Sequence, residues 1–202
     1  GLKGKQSFFA DIAGIRADVK VDLYIESTHV CSERGELQLT NYGISGIPVF
    51  QLSRVATRAL SEQKEVYATL NFVPFWEKEQ CLTYFKERFK KADEKRIGEA
   101  LIGFFPEKLI PVLLGESHIK AAKYANRLQI EELERFIDTV QGLRVDITDW
   151  NTFDTAQVSA GGVDTDEIDA ETMESKLCPG LYFAGEMVDI DGICGGYNLQ
   201  WA

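Results

Sequence analysis

Residues 16–26 alternate in character. Ala17, Val19, Val21, Leu23 and Ile25 fall on one face, and Asp18, Lys20, Asp22 and Glu26 on the other. A period of two over that length marks a strand with one face on a core and one toward water. Ser32-Glu33-Arg34-Gly35 reads as a turn, and Glu36-Leu37-Gln38-Leu39-Thr40 as the returning strand of a hairpin. A third alternation, Val66, Ala68, Leu70 and Phe72, stops at Pro74, which has no amide to donate to a ladder. Between these strands Pro48 sits near the start of a predicted helix carrying Phe50, Leu52, Val55 and Leu60. Proline fits the first helical turn because the amide it lacks would have no partner there.

The middle of the chain turns helical. Leu82, Phe85 and Phe89 share one face of a segment rich in Lys and Glu, and Ile97, Leu101, Phe104 and Phe105 suggest a second helix. A further helix carries Leu133, Phe136, Ile137 and Val140 and is expected to stop at Gly142 in a left-handed cap. Leu143, Val145 and Ile147 then alternate as a strand, and Thr155-Ala156-Gln157-Val158-Ser159-Ala160 reads as another entering Gly161-Gly162-Val163. An acidic loop, residues 164–174, follows. Helices lie between two β-rich stretches, so the fold class is α+β rather than repeated βαβ units. A change of texture at residues 149–152 divides the chain into domains 1–150 and 151–202.

Composition narrows the function. A chain of 202 residues buries roughly 70% of its unfolded surface, enough for one large domain or two small ones. The 45% apolar and 27% charged fractions are those of a soluble globular protein. No apolar run approaches the ~20 residues of a membrane span, and no signal-peptide pattern opens the chain, so no membrane partner is expected. The net charge of −10 disfavours DNA or RNA as a partner. Cys31, Cys81, Cys178 and Cys194 form no Cys-x-x-Cys or Cys-x-x-His pair, which leaves no zinc or thioredoxin-like motif and no predicted metal site. They read as free thiols of a reducing compartment, the cytoplasm. His29 and His118 both fall in polar surroundings and read as surface residues. No Ser-His-Asp arrangement or Gly-x-Ser-x-Gly elbow is present, so no catalytic residue is assigned.

The chemistry-bearing pattern lies near the end. Leu181-Tyr182-Phe183-Ala184-Gly185-Glu186 reads as a short buried strand ending in glycine and an acid, a place where a carboxylate can accept hydrogen bonds from sugar hydroxyls. Asp189-Ile190-Asp191-Gly192-Ile193-Cys194-Gly195-Gly196-Tyr197-Asn198 follows. Paired glycines admit close backbone approach to a ligand, and a helix starting near Tyr197 would present free amides to it. A calcium loop is ruled out: counting from Asp189, the sixth and twelfth places hold Cys194 and Gln200 instead of Gly and Glu.

Several blocks together resemble one bacterial family. They are Gly161-Gly162-Val163, Thr172-Met173-Glu174-Ser175-Lys176, Pro179 through Glu186, and Asp191-Gly192-Ile193-Cys194-Gly195-Gly196-Tyr197-Asn198-Leu199-Gln200-Trp201-Ala202. The family is that of the NAD(P)/FAD-dependent oxidoreductases that includes the aminoacetone oxidases. Gly35-Glu36-Leu37-Gln38-Leu39-Thr40-Asn41-Tyr42-Gly43-Ile44-Ser45-Gly46-Ile47-Pro48 resembles the same family's inserted domain. The resemblance implies a small antiparallel β-barrel with a helical subdomain over residues 1–150, then a partial return into an FAD-binding domain. It also implies a piece of the enzyme, because the family's Gly-x-Gly-x-x-Gly unit, which holds the ADP half of FAD on a helix N-terminus, has no counterpart here.

By that resemblance Glu186 would bond the ribityl chain of FAD. Gly195, Gly196, Tyr197 and Asn198 would line N1, C2=O and the adjoining phosphate, and Gly161, Gly162 and Val163 would approach the isoalloxazine edge. Relatives often carry Asp at the place of Glu186. The expected partners are the missing N-terminal nucleotide-binding unit and a small-molecule substrate of unknown identity. FAD would belong to the parent enzyme and not be retained by this piece, which would be inactive alone. Apolar groups around residues 181–184 and 199–201 would be left uncovered, a route to homo-oligomers. Two alternatives stay open: a structural or interaction module without catalysis, and an RNA-modifying flavoprotein, which the acidic balance disfavours.

Overall fold

The computed structural model describes residues 1–152, 161–190, 192 and 200. They divide into two compact units, Gly1–Trp150 and Asn151–Ala202. The first unit is a closed antiparallel barrel of six strands with helices attached, in agreement with the α+β barrel and helical subdomain expected. Its strands are β1 (Leu2–Gly4), β2 (Arg16–Ile25), β3 (Thr28–Leu39), β4 (Gly43–Gly46), β5 (Val66–Asn71) and β6 (Leu143–Trp150), in the ring order β1-β4-β3-β2-β5-β6.

The alternation in β2 behaves as its pattern dictates: Val19, Val21 and Leu23 have no exposed surface. Val21 pairs with Leu70 and Leu23 with Ala68, and those residues pair in turn with Leu143 and Val145, so one apolar layer runs around β2, β5 and β6. Helix α2 (Ile47–Ser61) packs against β2 through β6 and adds Val49, Leu52, Ala56 and Ala59 to that core. Phe50, one of the apolar residues of this helix, is exposed, because the inward stripe runs through 49, 52, 56 and 59.

The hairpin turn is not at residues 32–35. β2 and β3 are joined at Glu26-Ser27, with Ile25 opposite Thr28, and residues 32–35 lie inside β3 opposite residues 19–22. Both turn residues have positive φ, 48° and 68°, the backbone twist that suits two-residue hairpins. Glu-Ser carries neither the Gly nor the Asn that signals such a turn, which is why the sequence pointed to Gly35. A register shift after Leu23 leaves Val30 as an extra residue in β3, pointing outward.

Outside the barrel, this hairpin carries Asp22, which accepts hydrogen bonds from Ser32 and an ion pair from Lys20 at 2.8 Å, with His29 Nε2 3.4 Å away. Burial by itself raises the Asp22 carboxyl, but the bonds from Lys20 and Ser32, with the charges of Lys20 and His29, outweigh it and hold the group below its ordinary value.

β5 and β6 are neighbours in the barrel, yet about seventy residues separate them in sequence, and these build the helical subdomain: α3 (Lys78–Lys91), α4 (Ile97–Leu101), α5 (Leu109–Glu116) and α6 (Ile130–Gly142). Its centre is aromatic. The fully buried Phe85 ring lies 5.4 Å from Phe136, 5.0 Å from Phe104, 5.8 Å from Phe89 and 6.1 Å from Phe105. Arg88 seals the rim, donating to the carbonyls of Ala100 at 2.7 Å and Ile102 at 3.0 Å and to the Tyr84 hydroxyl at 3.2 Å. Phe104 and Phe105 do not continue α4. That helix ends at Leu101, and a turn through Gly103 brings both rings back onto Phe85.

Helix α5 has no amphipathic signature. Leu109, Ile110, Val112, Leu113 and Leu114 are buried, and the exposed face is formed by Pro111, Gly115 and Glu116, so little polar contrast marks it in the sequence. Gly142 closes α6 without a left-handed cap; the chain passes directly into β6 at Leu143 (φ −57°, ψ 113°).

The barrel closes through β1, whose three residues pair with β4 on one side and β6 on the other. Gly43 makes this possible. A Cβ there would stand 2.2 Å from the Leu2 carbonyl oxygen and 2.6 Å from the Gly4 nitrogen, both rigid backbone.

Two outcomes follow. Phe85→Ala removes a ring from a filled core and is expected to cost about 3–5 kcal/mol, read as a lower urea midpoint at unchanged m-value. For Asp22, a depressed folded-state pKa means its stabilisation is present above the ordinary carboxylate value and lost as pH falls through the folded one. Wild type should therefore lose more stability than Asp22→Asn on titration from neutral to strongly acidic pH. Parallel stability–pH curves would contradict this.

Candidate functional site

The second unit is organised by local hydrogen bonds. Asp169 accepts from the amides of Glu171 at 3.0 Å and Thr172 at 2.9 Å and from the Thr172 hydroxyl at 3.0 Å. The Thr172 amide, then its hydroxyl and the Glu171 amide, hold the Asp169 carboxyl below its ordinary value. This turn launches residues 173–175 back along 181–183: the Phe183 amide donates to the Met173 carbonyl at 3.0 Å and the Ser175 amide to Leu181 at 2.7 Å. The connecting loop is pinned by Glu174, which accepts from the Gly180 amide at 2.6 Å. Ser175 adds bonds from the amides of Leu177 at 3.2 Å and Cys178 at 3.1 Å.

Residues 181–186 are consequently not the buried strand their apolar run suggested. Glu174 and Tyr182 make an isolated antiparallel bridge, and Leu181 and Tyr182 are 44% and 60% exposed. An unbroken apolar run does not say which neighbour covers it, and among the described residues only 173–175 pair with it.

The structure brings two of the expected site segments together. The Val163 amide donates to the Met187 carbonyl at 2.8 Å, and the Asp189 amide returns a bond to Val163 at 3.0 Å. Gly162 lies so close to this partner that a Cβ would stand 2.5 Å from the Met187 oxygen and 2.8 Å from the Asp189 nitrogen. Gly161, in contrast, has open space where a side chain would be. The Val188 amide bonds the Gly185 carbonyl at 3.2 Å, which turns the chain at Glu186-Met187 and leaves both exposed beside Gly161-Gly162-Val163. Val188 beneath them is 4% exposed and anchors the turn.

Gly195, Gly196, Tyr197 and Asn198 lie outside the described residues, as do Cys194, Leu199, Trp201 and the strand expected at 155–160. Cys31, Cys81 and Cys178 are free thiols; burial, with Glu33 nearby, raises Cys31, and burial raises Cys81. His29 and His118 are both exposed. Among the described residues no group of His, Cys, Asp and Glu is arranged to hold a metal ion, and no helix is long and apolar enough to cross a membrane. Sequence reasoning missed the positioning set Asp169, Glu174 and Ser175. The Asp-x-x-Thr spacing was its one available signal.

Residues 1–158 match the family described as HI0933-like protein barrel and H2TH domain. The chain belongs to this family. The HI0933-like chain is 44% identical over 201 residues to a 3-dehydro-bile acid delta(4,6)-reductase of Clostridium scindens, an alignment covering 100% of the chain and 49% of the relative. It is 31% identical over 190 residues, 93% of the chain and 44% of the relative, to a ribosomal RNA dihydrouridine synthase of Escherichia coli. The equivalent Haemophilus influenzae protein is 29% identical over 184 residues, 90% of the chain and 43% of the relative. The chain thus spans about half the length of the curated relatives it matches.

Gly162→Ala should part residues 161–163 from 187–189. Amide exchange at Val163 and Asp189 should accelerate at least tenfold, while the barrel amides keep their protection. Unchanged exchange at those two amides would show that the contact is not essential.

Proposed function

We propose that this HI0933-like protein is a flavin-dependent reductase of carbon–carbon double bonds conjugated to a carbonyl. The observation carrying the reading is chemical agreement between relatives. A 3-dehydro-bile acid delta(4,6)-reductase and a ribosomal RNA dihydrouridine synthase, by their names, act on a ring double bond that a nearby carbonyl makes electron-poor. Such a bond accepts hydride at the carbon remote from the carbonyl and a proton at the adjacent one.

The residues fit a flavin. Gly161 leaves open space at the exposed edge, Glu186 offers an unburied carboxylate to hydroxyl groups, and Leu181, Tyr182 and Met187 present apolar surface in the same unit. Bound FAD, in its reduced form, would supply the hydride. In this reading Gly161, Gly162 and Val163 form one edge of its seat, and Glu186 accepts from the ribityl hydroxyls. Gly195, Gly196, Tyr197 and Asn198 would offer amides to N1 and C2=O, where negative charge gathers on reduction. Residues 1–150 would be the inserted substrate-side domain, and 151–202 part of the FAD-binding domain. The ADP half would be held by segments corresponding to the part of the relatives that this chain does not match. Amine oxidation of the aminoacetone oxidase kind would use the same face to accept hydride; the double-bond reactions of the relatives favour delivery.

Two substrate classes remain distinct. A small apolar polycycle is favoured by the 44% identity to the bile acid enzyme. A uridine in RNA is suggested by the names of the two other relatives, at 31% and 29% identity. Residues 151–202 hold 10 acidic and 1 basic residues, whereas residues 1–150 hold 22 and 21. The acidity that disfavours a phosphate-bearing partner therefore belongs to the second unit, and the barrel and helices are nearly neutral.

In the polypeptide as its gene encodes it, Gly196→Trp should abolish the visible flavin absorbance of the purified protein. A variant that stays yellow would sink the site assignment.

A further inference from the structure

The ladder that closes the barrel sets three side chains in a row. Trp150 of β6 pairs with Leu2 of β1, and Leu2 pairs with Ile44 of β4. Paired residues project to the same face of a sheet, so Trp150 points to the inner face with the other two. Leu2 and Ile44 are buried, but Trp150, at the end of its strand, keeps 36% of its surface exposed. Among the described residues its indole N–H meets no acceptor; Trp150 bonds the Asp149 carboxylate through its main-chain amide.

Helix α2 starts three residues after Ile44. Gly46 turns into it at φ 103°, pressed so close to β3 that a Cβ would stand 2.4 Å from the Glu36 carbonyl oxygen. That crossing fixes the first turn of α2 beside the Ile44 end of the row. Ile47 and Phe50, three residues apart and so on one side of the helix, are 54% and 37% exposed. Two strand spacings, about 10 Å, separate Trp150 from Ile44, a span comparable with the long axis of a fused-ring skeleton. The side chains next along these strands are uncharged apart from Lys3 and Asp149, which bond each other at 2.7 Å.

We propose that Trp150, Ile47 and Phe50 hold the ring skeleton of the substrate, and that this substrate is an uncharged polycyclic ketone rather than a uridine in RNA. The inference rests on the reductase reading of the proposed function. Sites for small ligands combine apolar walls with a few polar groups that fix orientation. Trp150 supplies both, an aromatic face and one N–H that a ring oxygen can accept from. Ile47 and Phe50 add aliphatic and aromatic surface at the other end of the row. A nucleotide in RNA would bring phosphates, and Lys3, the cation flanking the row, is already engaged by Asp149.

The test is equilibrium dialysis of the gene-encoded polypeptide against tritiated testosterone, an uncharged conjugated steroid ketone, a readout that needs no turnover. Trp150→Ala and Ile47→Gln should each weaken steroid binding at least tenfold, and Trp150→Phe should fall between Trp150→Ala and wild type. Ile130→Gln, which removes an exposed apolar side chain from the start of α6, should bind as wild type does. Circular dichroism and flavin content should be the same in all four variants, and a uridine-bearing RNA hairpin should not compete with the steroid. Wild-type affinity in both Trp150→Ala and Ile47→Gln, no steroid binding by wild type, or competition by the RNA would overturn the proposal. So would loss of the folded signal or of flavin in both variants, which would mean that the remainder of the polypeptide covers this face. A wild type that lacks flavin yet binds the steroid would refute the flavin reading and leave this assignment standing.

Discussion

Barrel closure is the constraint on which the first unit depends. A six-strand ring leaves no edge only if β1, three residues long, finds both β4 and β6. Leu2 must meet Ile44 on one side and Trp150 on the other, so the two ends of a 150-residue unit are fixed in one ladder. The ladder has no room for a side chain at Gly43, and α2 packs against β2 through β6. Open strand edges would invite pairing with other chains, and closure removes them. Contacts of such long sequence separation also form late and slowly.

The helical subdomain is an excursion from this ring. Because β5 and β6 are adjacent, the chain can leave the barrel after Asn71, build four helices, and return at Leu143 without disturbing a strand pairing. Its own stability comes from the Phe85 cluster more than from ion pairs. Most of its charged pairs, such as Lys78 with Asp138 and Lys91 with Glu87, are exposed and worth about 0–1 kcal/mol each, against roughly 3–5 for a buried phenylalanine.

The second unit is held together by a few side chains. Asp169, Glu174 and Ser175 spend their side chains on backbone amides, and Val188 supplies the buried anchor. Glu186 is left exposed beside a backbone crossing that only glycine permits at 162.

The sequence by itself determined the strands at Arg16–Ile25, Val66–Asn71 and Leu143–Trp150 and the helices α2, α3 and α6, because period two and period 3.6 are local properties of a chain meeting one core. It also singled out the glycines at 161 and 162, the second of which has no room for a side chain. Tertiary structure alone decided the rest. The Glu26-Ser27 turn was set by the register of β2 against β3, which outweighed the local preference for a turn at Gly35. Helix α5 was set by the burial of its five aliphatic residues, and the exposure of Leu181 and Tyr182 by which neighbours they meet.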